Sequence, residues 1–96
     1  MVKHMVAFKL KDPTRENIEA MKSLIMTMQD NIDVVRNMRV EEDFLRAPES
    51  FDLMLFAEFD NREDLMTYAR HPYHLEFVGA KCAPYVTEVH PFDYEV

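Results

Sequence analysis

The stretch FDLMLFAEF, residues 51–59, limits the possible folds more than any other feature of this chain. Side chains alternate across a β-strand, so Leu53, Leu55 and Ala57 face one way while Met54 and Phe56 face the other. Apolar residues on both sides require cover on both sides. Two other segments repeat the pattern. In VKHMVAFKL, residues 2–10, Val2, His4, Val6, Phe8 and Leu10 share one face, and Met5 and Ala7 lie on the opposite one. The closing segment YVTEVHPFDYEV, 85–96, adds Phe92 and Tyr94 to that second face.

Between the strands the period changes. Ile18, Met21, Leu24, Ile25, Met28 and Ile32 recur at three- and four-residue spacing, which predicts an amphipathic helix of about four to five turns. KDPT before it is a turn, with Asp12 expected as the N-cap and Pro13 at the first helical position. Residues 34–46 predict a second, more polar strand at a sheet edge, and APES is a turn. DNRE, Asp60 to Glu63, resembles a capping box with Asp60 at the cap, opening a short helix through Leu65, Met66 and Tyr68. Pro72 ends that helix and is suited to begin the next, which continues through Leu75, Phe77, Val78 and Cys82 to Pro84. Pro91 fits best on an edge strand.

The resulting order, β-α-β-β-α(α)-β, predicts an α+β fold. It is the ferredoxin-like split βαβ arrangement, a four-stranded antiparallel sheet with helices on one face. Residues 1–96 are expected to form one domain. Helices cover one side of the sheet only. A second copy packed face to face about a two-fold axis is the simplest cover for the other, giving a dimeric α/β barrel.

Composition excludes several functions. The net charge is −7, from 18 acidic against 11 basic residues, which opposes binding to a phosphate backbone. The longest apolar run is LMLF, 53–56, far short of the roughly 20 residues of a spanning helix, so neither nucleic acid nor membrane is an expected partner. The N-terminus lacks the apolar core of a signal peptide. The single Cys82 cannot form an internal disulfide, and a cytoplasmic location is expected. With one glycine in the chain, no phosphate-binding loop, dinucleotide fingerprint or nucleophile elbow can be built.

Three segments together resemble the stress-responsive dimeric α/β-barrel family, Dabb: VKHMVAFKLK at the start, SFDLMLFAEFDNREDLMTYARHPYHLEFV in the middle and PFDYEV at the end. The resemblance implies a homodimer whose two sheets form a barrel, with a pocket between each sheet and its own helices. The family includes stress proteins without a settled activity and a polyketide cyclase that performs an intramolecular aldol condensation. Carried over from the cyclase-like members, His74 would be the general base, Tyr68 its partner, and His4 a pocket residue.

The residues themselves leave alternatives open. His74 lies two positions after Pro72 in what should be the first turn of a helix, where partial positive charge lowers imidazole basicity. A histidine there is suited to remove a proton from carbon between two carbonyls while a tyrosine stabilises the oxyanion. Equally, Tyr68 and His74 would simply hydrogen-bond each other and brace the helix junction. His4 is either a pocket residue or a satisfied core histidine. His71 suits an N-cap or the surface, and His90 shares a face with Phe92, away from the helices. His71 and His74 have metal-ligand spacing only if both are helical, which Pro72 opposes, and no H-E-x-x-H is present. Neither a metal nor a cofactor is expected. Cys82 fits a buried structural thiol.

His4, Val6, Phe8, Leu55 and Phe77 are the expected ligand-pocket residues. An apolar pocket with one polar end suits an amphipathic small molecule. Two functional classes follow: a homodimeric binding protein of unassigned activity, or a cofactor-free enzyme acting on an aromatic or polyketide-like substrate through the His74–Tyr68 pair.

Overall fold

In the computed structural model, which describes residues 1–96, the alternating N-terminal segment forms strand β1, Val2–Leu10. Its inward residues, Val2, His4, Val6, Phe8 and Leu10, are all buried. Helix α1, Arg15–Met26, covers them with Ile18, Met21 and Ile25. The cap of α1 is Thr14, not Asp12: the Thr14 hydroxyl accepts from the Asn17 N–H at 3.1 Å. Asp12 instead offers its carbonyl to the Asn17 side chain at 2.8 Å. Pro13 thus precedes the cap, outside the helix.

The expected single helix is interrupted at Thr27. The Thr27 hydroxyl donates to the Leu24 carbonyl at 2.6 Å, and such back-bonding competes with the helical ladder. One further turn, α2 (Met28–Asn31), carries Met28 and leads to Ile32 in the core.

Strand β2 spans only Met38–Glu42, shorter than the predicted 34–46. Before it, Val35 N–H bonds the Ile32 carbonyl and Arg36 pairs with Asp60. After it, the Asp43 carboxylate accepts from the Arg46 N–H at 2.6 Å, and Arg46 adopts a positive φ of 59°. Backbone bonds to the neighbouring segment persist at both ends, from Arg36 N–H to the Glu58 carbonyl and from Asp43 N–H to the Asp52 carbonyl. The turns thus shorten the regular strand without ending the contact. Strand β3, Leu53–Phe59, starts just after Asp52, a buried carboxylate that accepts the Leu10 N–H at 2.7 Å. Helix α3, Arg62–Arg70, is capped by Asn61, whose side chain accepts from Asp64 N–H at 2.8 Å. The expected cap, Asp60, is engaged with Arg36. A π-helical turn (Tyr73–Val78), helix α4 (Gly79–Cys82) and a 3₁₀ turn (Ala83–Tyr85) lead into strand β4, Val86–Glu95.

The four strands form one antiparallel sheet in the order β2-β3-β1-β4. This is the ferredoxin-like arrangement, with the helices packed on one face. β2 and β4 are the edges, and Pro91 lies on β4, where a missing donor costs least. The buried core joins the inner sheet face to α1, α2 and α3. On the outer face, Met5 pairs with Phe56 on one side and Phe92 on the other. The guanidinium of Arg39 lies over the Phe56 ring at 4.1 Å, and Phe92 is 64% exposed. No helix covers this apolar row.

Candidate functional site

The inner sheet face and the helical layer do not close completely. A cavity of about 510 Å³ remains between β1, α3, the π-helical turn, α4 and β4. Most of its wall is apolar. His4, Val6, Phe8 and Leu55 line it from the sheet, and Tyr68 and His74 from the helical side. Period two determines the first four, because they project from alternate positions of adjacent strands.

Phe77 does not line the cavity. It is 41% exposed, its ring stacks on Tyr73 at 4.7 Å, and the Lys81 ammonium sits 5.0 Å from it on the outside. The π-helical turn explains the displacement. A π turn holds more residues than an α turn, so the inward phase after His74 falls on Val78, which does line the cavity. The turn is held by the Gly79 N–H bonded to the His74 carbonyl. A Cβ at Gly79 would stand 3.1 Å from that carbonyl oxygen, so the chain's one glycine sits at a close backbone approach. His71 caps this segment: its Nδ1 accepts from the Tyr73 N–H at 3.1 Å.

Four side chains converge at one end of the cavity. Tyr68 is 2% exposed, and its ring lies 5.5 Å from His4, 5.0 Å from Phe59 and 4.7 Å from His74 between centroids. Tyr68 and His74 are stacked at 29°, not hydrogen-bonded. Burial, and then the nearby charge of Asp93, push the Tyr68 pKa well above the ordinary phenol value, so its hydroxyl stays a proton donor. No protein group accepts from that hydroxyl, and no fully enclosed side-chain polar atom lacks a partner, so it opens onto the cavity.

His74 Nδ1 lies 3.0 Å from the Ala69 carbonyl. A carbonyl only accepts, so Nδ1 carries the proton, and in the neutral ring Nε2 keeps the free lone pair. His4 Nδ1 is hydrogen-bonded to Asp93 Oδ1. His4 and Asp93 are direct cross-strand partners of β1 and β4, and both border the cavity. Sequence reasoning gave Asp93 no role, although the alternation that sends His90, Phe92 and Tyr94 outward sends Asp93 inward. Cys82 also borders the cavity, with its thiol pKa pushed up to about 11 by burial, so it stays protonated. No three His, Cys, Asp or Glu side chains gather in metal-ligating geometry.

An antiparallel four-stranded sheet, helices on one face and a cavity with one polar end define an α+β protein of the ferredoxin-like class. Residues 2–96 match the model of the stress responsive A/B barrel domain family, Dabb, and the chain belongs to that family. A dimeric protein of unknown function and ferredoxin-like fold from Bacteroides fragilis NCTC 9343 is 32% identical, with a TM-score of 0.82 over 99% of this chain and 95% of its own. At3g17210 from Arabidopsis thaliana is 20% identical, with a TM-score of 0.86 over 100% of this chain and 95% of its own. Hydroxynitrile lyase from Passiflora edulis is 17% identical, with a TM-score of 0.81 over 97% and 90%. For the last two the likeness is one of fold. No curated protein matches the sequence.

Proposed function

We propose that this Dabb protein acts as a homodimer, formed through the outer sheet face, that takes an amphipathic small molecule into the inner cavity. The observation that carries the ligand reading is Tyr68: a buried side chain whose hydroxyl has no protein partner and borders an apolar cavity. Buried polar groups are normally paired, and a ligand oxygen supplies that pair. The uncovered row of Phe56, Met5 and Phe92 supports the dimer, as does the description of the Bacteroides fragilis relative as dimeric. The unpaired, buried Cys82 suits a reducing compartment such as the cytoplasm. The test is calorimetric titration with alkylphenols and aryl alkyl ketones. Saturable binding that Tyr68→Phe weakens supports the reading, and no binding by any member at millimolar concentration refutes it.

The tautomer of His74 favours a second reading, proton transfer carried out by the protein's own side chains. His74 Nε2 removes a proton from carbon between two carbonyls, and the electron pair moves onto the carbonyl oxygen, to which Tyr68 O–H donates. In an aromatic or polyketide-like substrate the enolate carbon then attacks a second carbonyl of the same molecule. A carbon–carbon bond forms, and the new alkoxide takes the proton back from Nε2. Deuterium exchange at the central carbon of an alkyl 1,3-diketone, followed by NMR, tests the first step. His74→Ala should slow it by about 10² to 10⁴; exchange no faster than in buffer removes this reading.

A further inference from the structure

Neither Lys nor Arg lines the polar end of the cavity. Arg62, in the groove beside Asp93, is held by Glu95 and is 80% exposed. Lys3 lies on the other face of the sheet, paired with Glu58. The titratable groups that do face the site are His4 from β1, Tyr68 from α3, His74 from the π-helical turn, Cys82 from α4 and Asp93 from β4. Of these, Asp93 is the carboxylate, with its side chain 38% exposed and His4 as its partner. The hydrogen-bonding inventory is equally one-sided. His74 Nε2 and Asp93 accept, Tyr68 donates, the Cys82 thiol is a weak donor, and His4 Nδ1 is engaged with Asp93. A phenol, enol or ketone head satisfies these groups. A carboxylate would place its charge, stripped of water, beside the Asp93 carboxylate and the His74 acceptor, with Tyr68 as the one strong donor.

We propose that the cavity selects its ligand by the charge of the head group, admitting uncharged or cationic heads and refusing carboxylates and phosphates, with Asp93 as the discriminating residue. The proposal rests on the reading of this cavity as a ligand site. The Tyr68 hydroxyl stands at that position, and the burial and the Asp93 charge that oppose its ionisation oppose an anionic ligand oxygen beside it as well. Two unit charges within about 8 Å at an effective dielectric near 20 change a dissociation constant by more than about tenfold.

Three probes with one shape isolate the sign of the charge: para-hexylphenol, para-hexylbenzoate and para-hexylbenzylamine. They are neutral, anionic and cationic at about pH 8, above the ordinary imidazole range near 6.5. Calorimetry on the full chain should show the phenol and the ammonium binding, with the benzoate weaker by about tenfold or more. Asp93→Asn should strengthen the benzoate and weaken the ammonium, leaving the phenol within about threefold. Should that variant lose the fold, Asp93→Ser and the wild-type ratio of cation to anion decide the same point. Benzoate binding as tightly as phenol overturns the charge rule while leaving the ligand site standing. Equal weakening of both ions overturns it too, since desolvation alone would produce that. Failure of all three probes overturns the ligand site together with the rule.

Discussion

Tyr68 and His74 lie ring on ring, 4.7 Å apart between centroids, while His74 Nδ1–H is donated to the Ala69 carbonyl. The pair therefore braces the helix junction by stacking, and the Tyr68 hydroxyl and His74 Nε2 remain free for the cavity. Removing the imidazole in His74→Ala should cost about 1 to 2 kcal/mol in urea denaturation, from one aromatic contact and one hydrogen bond. His74→Phe should recover much of that stability by keeping the stack. A variant that is restored in stability yet inactive in diketone exchange separates the base from the brace. Exchange surviving in His74→Phe would sink the base.

Gly79→Ala tests the π-helical turn. Alanine favours a helix over glycine by about 1 kcal/mol, yet its Cβ would stand 3.1 Å from the His74 carbonyl oxygen. That oxygen is backbone, already bonded to the Gly79 N–H, and has little room to yield. We expect no gain in melting temperature and a displaced His74 ring resonance in NMR spectra. A stabilised variant with an unmoved resonance contradicts this account.

Phe56→Asp tests assembly. Phe56 stands in the outer row between Arg39 and Met5. A charge sealed between two sheets costs several kcal/mol, so sedimentation should show a folded monomer at micromolar concentration. A wild-type chain that is itself monomeric there, or a variant that stays dimeric, rules out the outer face as the interface.

Alkaline stability follows from two raised pKa values. A group whose pKa is raised by folding stabilises the fold fully below its unfolded pKa, and that contribution is lost as pH climbs through the folded value. For Cys82 the loss runs from about 8.5, its unfolded value, to about 11. For Tyr68 it begins near 10 and continues upward, because its folded pKa is higher still. Urea midpoints measured from about pH 8 to 11 should fall in the wild type. They should fall less steeply in Cys82→Ala combined with Tyr68→Phe. Parallel slopes would show that neither group is shielded as described.

The order of the elements and the two-sided sheet were legible because both follow from local periodicity. Alternation placed His4, Val6, Phe8 and Leu55 on the cavity side, and Met5, Phe56 and Phe92 on the other. Spacing alone located the core face of α1 at Ile18, Met21 and Ile25. The caps were misplaced by one or two residues because neighbouring polar side chains compete for the same orphan N–H groups. Asn61 caps α3 while the Asp60 carboxylate is held by Arg36, and Thr14 caps α1 while Asp12 offers its backbone carbonyl to Asn17.

The polar end of the cavity depended on pairings that no local pattern contains. His4 meets Asp93 across 89 residues of chain, a contact created by the register of β4 against β1. His74 faces inward, and Phe77 outward, because the turn between them is π-helical. In that turn Gly79 stands close against the His74 carbonyl. By itself the sequence determined which residues lie on each face of strand and helix, since those periods are set by the backbone of each element. Which side chains meet, and which hydroxyl remains unpaired, was decided only by tertiary packing, because such contacts join residues distant along the chain.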